Sequence, residues 1–285
     1  MTSQLHQTST AVLPSSGGSD MGDAIDNSII FDDGSSAYLS KTLSTPTAAT
    51  AFTISFWMRL GSSTSDQYII STGTTNGTEG YIHINHSTGG GELWIADPND
   101  GAGWLSKTAM KFRDHSGWYN ICLSVDTTAG SGSRRKLEVN GVEITDWTAD
   151  DEPSASQTLN FNSATAHNIG RRIRTSSAYL DGYIADLHFI DGLKLDATNF
   201  GRFSTSHPNV WVPITTSGLT YGNNGFQLSF ATAPGTGAGA GDDTSGNTND
   251  WTESGLATGD QSTNTPSNVT ATLNPLIPNG AITYS

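Results

Sequence analysis

Three kinds of chemistry can be tested directly against residue type and spacing in this chain. Retaining glycoside hydrolysis needs two carboxylates about 5–5.5 Å apart on one face. Glu138 and Glu143 flank a hairpin turn, whereas Glu152 and Glu253 fall in loops, so no catalytic pair is expected. Nucleophilic acyl transfer from a strand-to-helix elbow needs a Gly-x-Ser-x-Gly frame, and no serine has one. Metal binding by histidine needs convergent side chains, but GYIHINH sets His83 and His86 on opposite faces of a strand, which reads as half-exposed strand histidines. The remaining candidate is non-covalent. Tyr81, Trp94, Trp104 and Trp118 could form an aromatic platform for sugar rings, or serve as core and rim packing in a chain poor in leucine.

These side chains sit in a succession of strand-like runs. The longest is Tyr179 to Gly192, YLDGYIADLHFIDG, bracketed by Asp-Gly turn chemistry at both ends. Apolar groups fall on both of its faces, which predicts a central strand. FTISFWMRL alternates cleanly, with Phe52, Ile54, Phe56, Met58 and Leu60 on one face and Thr53, Ser55, Trp57 and Arg59 on the other. WYNICLSVD alternates in the same way. KLEVNGVEITDW predicts a hairpin, because Asn140-Gly141 suits a two-residue type I′ turn. Many short strands with turn signals between them predict an all-β sandwich or barrel.

After Gly192 the texture changes. LDATNFGRF suggests one or two helical turns, HPNVWVPITTSG an extended connector, and NGFQLSF a strand. APGTGAGAG reads as a low-complexity linker. The remaining tail has too few aliphatic residues to fold alone, and is expected to pack on the sandwich or on a neighbouring subunit.

The totals narrow the class. The 285 residues carry a net charge of -14, which argues against a nucleic-acid face. Arg134, Arg135, Arg171, Arg172 and Arg174 are the basic clusters, suited to an acidic subunit or to a ligand. The single cysteine, Cys122, allows no internal disulfide and reads as a small buried hydrophobe. No run reaches the roughly 18 apolar residues of a membrane helix. The opening MTSQLHQTSTAVLPSSGG has neither the basic start nor the apolar run of a signal peptide, so release with a lysed cell's particles is expected rather than classical secretion.

The ordered set SIIFDDGSSAYLS, FTISFWMRL, WYNICLSVDTT, KLEVNGVEIT, HNIGRR and YLDGYIADLHFIDG resembles the laminin-G-like / concanavalin A-like lectin superfamily over roughly residues 28–192. That resemblance implies a jelly-roll sandwich of two antiparallel sheets. Enzymes on this fold carry a Glu-x-Asp-x-x-Glu strand, which is absent from this sequence. Calcium-binding relatives use loop Asp and Asn side chains, and hard oxygen ligands clustered in a loop are what calcium requires. ADPNDG offers Asp97, Asn99 and Asp100; GDDTSGNTND offers Asp242, Asp243, Asn247, Asn249 and Asp250. The same residue types dominate ordinary turns. A narrower resemblance, carried by VWVPITTSGLTYGNNGFQLSF, GDDTSGNTNDWT and TLNPL, is to virion structural proteins of tailed bacteriophages, particularly marine ones.

The resulting expectations are specific. Residues 1–26 form a flexible arm, 27–192 the sandwich, 193–222 a connector, and 223–285 a packed extension. The chain is a non-enzymatic virion subunit (tail fibre, spike or capsid decoration) that assembles with other virion proteins and with copies of itself. Its site would hold a host glycan on Tyr81, Trp94, Trp104 and Trp118, with calcium at Asp97, Asn99 and Asp100. A free or surface-attached lectin is the alternative, and a polysaccharide-degrading enzyme the third reading.

Overall fold

The computed structural model describes residue 20 and residues 22–75, 78–97 and 103–268. β1 spans Ser28–Phe31, β2 Tyr38–Thr42, β3 Ala51–Leu60, β4 Gln67–Thr72, β5 Gly80–Asn85 and β6 Glu92–Asp97. β7 spans Trp104–Lys111, β8 Tyr119–Asp126, β9 Arg135–Val139, β10 Val142–Glu143, β11 Trp147–Asp150 and β12 Ala166–Ile169. β13 spans Gly182–Asp191, β14 Gly201–Phe203, β15 Trp211–Pro213, β16 Phe226–Leu228, β17 Thr252–Ser254 and β18 Gln261–Ser262. They form two antiparallel sheets of a jelly-roll sandwich. The first runs β10-β9-β8-β3-β13-β1-β18, with β16 also on β13; the second runs β11-β7-β6-β5-β4-β12-β2-β17. β14 and β15 pair separately.

Period-2 patterning builds the interior. Phe52, Ile54, Phe56, Met58 and Leu60 meet Ile121, Leu123 and Val125 of β8, while Ile69, Ile82, Ile84, Leu93 and Ile95 close the core from the second sheet. The hairpin at Asn140-Gly141 has the expected positive φ angles, 50° and 71°.

β13 lies mid-sheet between β3 and β1, and its phase is corrected by a bulge. Counting by twos from Ile184 would send Asp186 and His188 into the core. A register shift between Ala185 and His188, with Asp186 at φ 43°, admits Leu187 and Phe189 instead. Asp186 is therefore a mid-sheet bulge residue.

The outer face of the first sheet is covered. Trp57, Cys122, Ala185 and Ile190 pack under Ala197, Phe200 and Trp211 of the connector as a second apolar cluster. Trp211 Nε1 donates to Asn120 Oδ1 at 3.2 Å. The helical turns expected in LDATNFGRF reduce to one 3₁₀ turn, Ala197–Asn199, followed by β14.

Strands continue past Gly192. β16 joins β13, β18 joins β1, and β17 joins β2. The APGTGAGAG stretch is packed rather than a free linker. Glu253 accepts from the Gly235 and Ala240 amides, and Ala240 and Trp251 enter the core. Residues 1–19 of the expected arm and residues 269–285 of the tail lie outside the described residues.

Candidate functional site

On the outer face of the second sheet, strand register assembles a row of side chains. Tyr68 of β4 pairs with His83 of β5, His83 with Trp94 of β6, and Trp94 with Lys107 of β7. These four positions cross four strands in one transverse line. The neighbouring line runs Ser40, Asn168, Ser71, Tyr81, Ala96 and Leu105. Core residues Ile82, Ile84, Leu93 and Ile95 alternate with these positions, which forces Tyr81, His83 and Trp94 outward.

The rings touch along the row. Tyr68 and His83 stack with centroids 4.4 Å apart, His83 and Trp94 lie 5.4 Å apart, and Tyr81 is 4.9 Å from His83. Lys107 Nζ sits 3.8 Å from the Trp94 ring centroid, a cation–π contact. Trp94 Nε1 donates to Glu92 Oε2 at 3.0 Å. Tyr81 and Trp94 are half-buried, so the row has a fixed base and accessible upper parts.

Two features escaped sequence reasoning. Tyr68 belongs to the row, and His83 is buried at 2 % exposure rather than half-exposed. Neither imidazole nitrogen of His83 has a hydrogen-bond partner among the described residues. Burial lowers its pKa to about 4, so the ring is neutral at physiological pH. The turn after β12 borders the row. Arg172 lies 5.2 Å over Tyr68, and the nearly buried Glu79 carboxylate holds Arg172 Nη2 at 2.7 Å and Arg174 Nε at 2.6 Å.

The other expected platform residues lie elsewhere. Trp104 is in the core and donates to Ser106 Oγ at 2.7 Å, because its position pairs with inward-facing Asp97. Trp118 immediately precedes β8 of the first sheet, edge-on to Tyr183 at 6.1 Å. Of the four expected residues, Tyr81 and Trp94 thus share the row, on a base formed by the buried Tyr68 and His83.

Asp97 is wholly buried, accepting from Asn160 Nδ2 at 2.9 Å and the Phe161 amide at 3.2 Å. Burial raises its carboxyl pKa to about 7 despite those bonds. It ties the loop before β12 to β6 and does not face solvent as a calcium ligand would; Asn99 and Asp100 lie outside the described residues. In the second acidic loop Asp243 accepts from the amides of Gln227, Ser245 and Asn249, while Asn247 and Asn249 donate to the Gly225 carbonyl. Among the described residues no three His, Cys, Asp or Glu side chains are grouped to hold a metal. No helix there is long and apolar enough to cross a membrane.

Two further titratable pairs lie on the first sheet. Glu143 faces Glu138 across the β9–β10 hairpin, but Glu138 is held by Lys136 Nζ at 3.0 Å and the Ala197 amide at 2.9 Å. His188 Nε2 lies 3.0 Å from Asp186 Oδ1, and its Nδ1 lies 2.8 Å from Tyr221 Oη.

Comparison with known proteins adds one decisive match. The profile described as the Concanavalin A-like lectin/glucanases superfamily covers residues 32–197, more than half of the chain. No curated protein matches the sequence. Among solved structures, a SAP-like pentraxin from Limulus polyphemus is 15% identical, with a TM-score of 0.42 over 59% of this chain and 77% of that one. Domains LG4-5 of the mouse laminin alpha1 chain are 13% identical, with a TM-score of 0.41 over 68% of this chain and 47% of theirs. The CBM40 of a Ruminococcus gnavus IT-sialidase, bound to sialyllactose, is 18% identical, with a TM-score of 0.34 over 51% of this chain and 85% of that one.

Proposed function

The chain belongs to the concanavalin A-like lectin/glucanases superfamily, and on that footing we propose that it is a non-enzymatic, glycan-binding structural subunit of a bacteriophage particle. The observation that carries the glycan part is the transverse row Tyr68–His83–Trp94–Lys107 with Tyr81 beside it. The accessible upper parts of Tyr81 and Trp94 on a rigid sheet suit the apolar faces of sugar rings, and the half-buried Ser40 of the adjoining line suits a hydroxyl. One such site holds a glycan weakly. Many copies on one particle add up to tight attachment, which fits a tail fibre, spike or capsid decoration.

The particle assignment is supported by the ordered resemblance of the continuation after Gly192 to phage virion proteins. The non-enzymatic reading is supported by the engagement of Glu138 with Lys136 and the Ala197 amide, which leaves Glu143 without a free carboxylate opposite it. A free or surface-attached lectin is the second reading, and rests on the aromatic row alone.

Mass spectrometry and electron microscopy of purified particles test the assignment: the chain should be present as a repeated external density, and its absence from virions would sink the particle reading. A glycan array tests the binding, and measured sugar release would contradict the non-enzymatic part.

A further inference from the structure

Beside the aromatic row, on the same face, lies a hollow of about 360 Å³ between β2, β12 and the turn after β12. Tyr38, Ser40, Lys41, Thr42, Asn168 and Arg171 line it. Not one Asp or Glu lines it, in a chain with 27 acidic residues and 13 basic ones.

Arg171 is unusual within this molecule. Among the described residues, Arg134, Arg135, Arg172, Arg174 and Arg202 each reach a carboxylate. Arg59 and Arg113 each donate to a carbonyl. Among the described residues the Arg171 guanidinium has no hydrogen-bond or ion-pair partner, and its Nε is buried. It is nonetheless fixed in place. The guanidinium lies 3.5 Å over the ring of Tyr38, and its backbone carbonyl accepts from the Ser71 hydroxyl at 2.7 Å. Lys41, the other cation of the hollow, donates to the backbone carbonyl of Asp250 at 3.1 Å and has no carboxylate partner there.

A guanidinium is a planar fork of donors with no acceptor, matched to carboxylate and sulfate oxygens. One that is stacked, partly desolvated and unpaired, in an acid-free hollow of a chain with net charge -14, is organised for an anion from outside. We propose that this hollow takes the carboxylate- or sulfate-bearing residue of an acidic glycan, with Arg171 donating to the anionic group. The inference rests on the glycan reading above and names its ligand class. The hollow lies two strands from Tyr68, roughly 10 Å at the usual strand spacing. One oligosaccharide laid across the strands can therefore rest a neutral ring on the aromatic row while its charged residue enters the hollow.

The test uses the full chain on an array of uronate-containing, sialylated and sulfated oligosaccharides printed beside their neutral counterparts, with calorimetry on the best acidic and neutral pair. The acidic member should bind about tenfold more tightly, as expected for one charge-assisted contact, and the difference should shrink with added salt. Arg171→Gln should bring the acidic ligand to the neutral level, and Arg171→Lys should leave part of the preference. Thr42→Trp fills the hollow from the exposed end of β2 and keeps the arginine at 171; it should abolish the preference with the Arg171 side chain still present. Equal affinity for acidic and neutral glycans would overturn the inference and leave the glycan reading standing. A preference that survives both Arg171→Gln and Thr42→Trp would also overturn it, placing the anion elsewhere. A blank array would remove both readings.

Discussion

The imidazole of His83 lies flat on the ring of Tyr68, centroids 4.4 Å apart and planes 7° from parallel. The contact holds an uncharged histidine inside a row that also contains Trp94 and Tyr81, so the row's base is an apolar shelf that acid would disturb.

That disturbance has a calculable sign. Burial lowers the pKa of His83 and of His167 to about 4 from 6.5. Between about pH 6.5 and 4 the unfolded chain takes up two protons that the folded chain refuses, and stability falls as pH falls. Asp97 acts oppositely, because burial raises its carboxyl to about 7 from 3.8 and the folded chain holds a proton through that window. One aspartate offsets one of the two histidines. Urea unfolding should give a midpoint that is nearly flat from pH 8 to 6.5 and then a loss on the order of 2 kcal/mol by pH 4.5. A His83→Gln variant should lose less over the same interval. Stability that holds or rises toward pH 4.5 would contradict this.

Removing a platform ring should weaken binding without unfolding the sheet. Trp94→Ala and Tyr81→Ala are each expected to lower affinity for an array-identified glycan about three- to tenfold, in line with a stacking contact near 1 kcal/mol. Trp118→Ala, just before β8 of the first sheet, should leave affinity unchanged. Calorimetry on the three variants separates the row from the original four-residue platform.

Asp97→Ala distinguishes an internal tie from a metal ligand. Its carboxylate holds Asn160 and the Phe161 amide, so the melting temperature should fall equally in calcium and in chelator, reflecting a stability loss of about 1–3 kcal/mol. A loss confined to calcium-containing buffer would restore the calcium site at Asp97, Asn99 and Asp100.

Trp211 should prove a cover for the first sheet. Trp211→Ala is expected to destabilise by about 3 kcal/mol by thermal unfolding, the usual range for a buried aromatic truncated to alanine. Cys122, wholly buried in the same cluster with its thiol pKa pushed up by burial, should resist a thiol reagent in the native chain and react on unfolding. Rapid labelling of the native protein would show the cover to be open.

Much of the fold was readable from residue patterns. The alternation of FTISFWMRL and the Asn140-Gly141 turn specified β3 and the β9–β10 hairpin without knowledge of any partner strand. The site was less legible because it depends on register. Tyr68, His83 and Trp94 meet only because β4, β5 and β6 pair as they do, and no local pattern states a pairing. Some signal was present all the same: in ELWIAD, Asp97 falls in phase with Leu93 and Ile95, which already points it inward, while Trp94 is out of phase and points outward. The bulge at Asp186 left no comparable mark, since it is an interruption of the period that elsewhere identifies strands. Arg171 was visible only as one of a basic cluster; its lack of a partner emerges from where Glu79 reaches.

The tail strands described above also settle how the sandwich ends sideways. Among the described residues the outermost strands are β10 and β18 on one sheet and β11 and β17 on the other, each two to four residues long. A sheet edge offers unpaired amides and carbonyls that recruit foreign strands, and length is what makes such a template dangerous. Short rims give a neighbour almost nothing to zip onto. Copies crowded at high local concentration can then stand side by side without fusing into a common sheet.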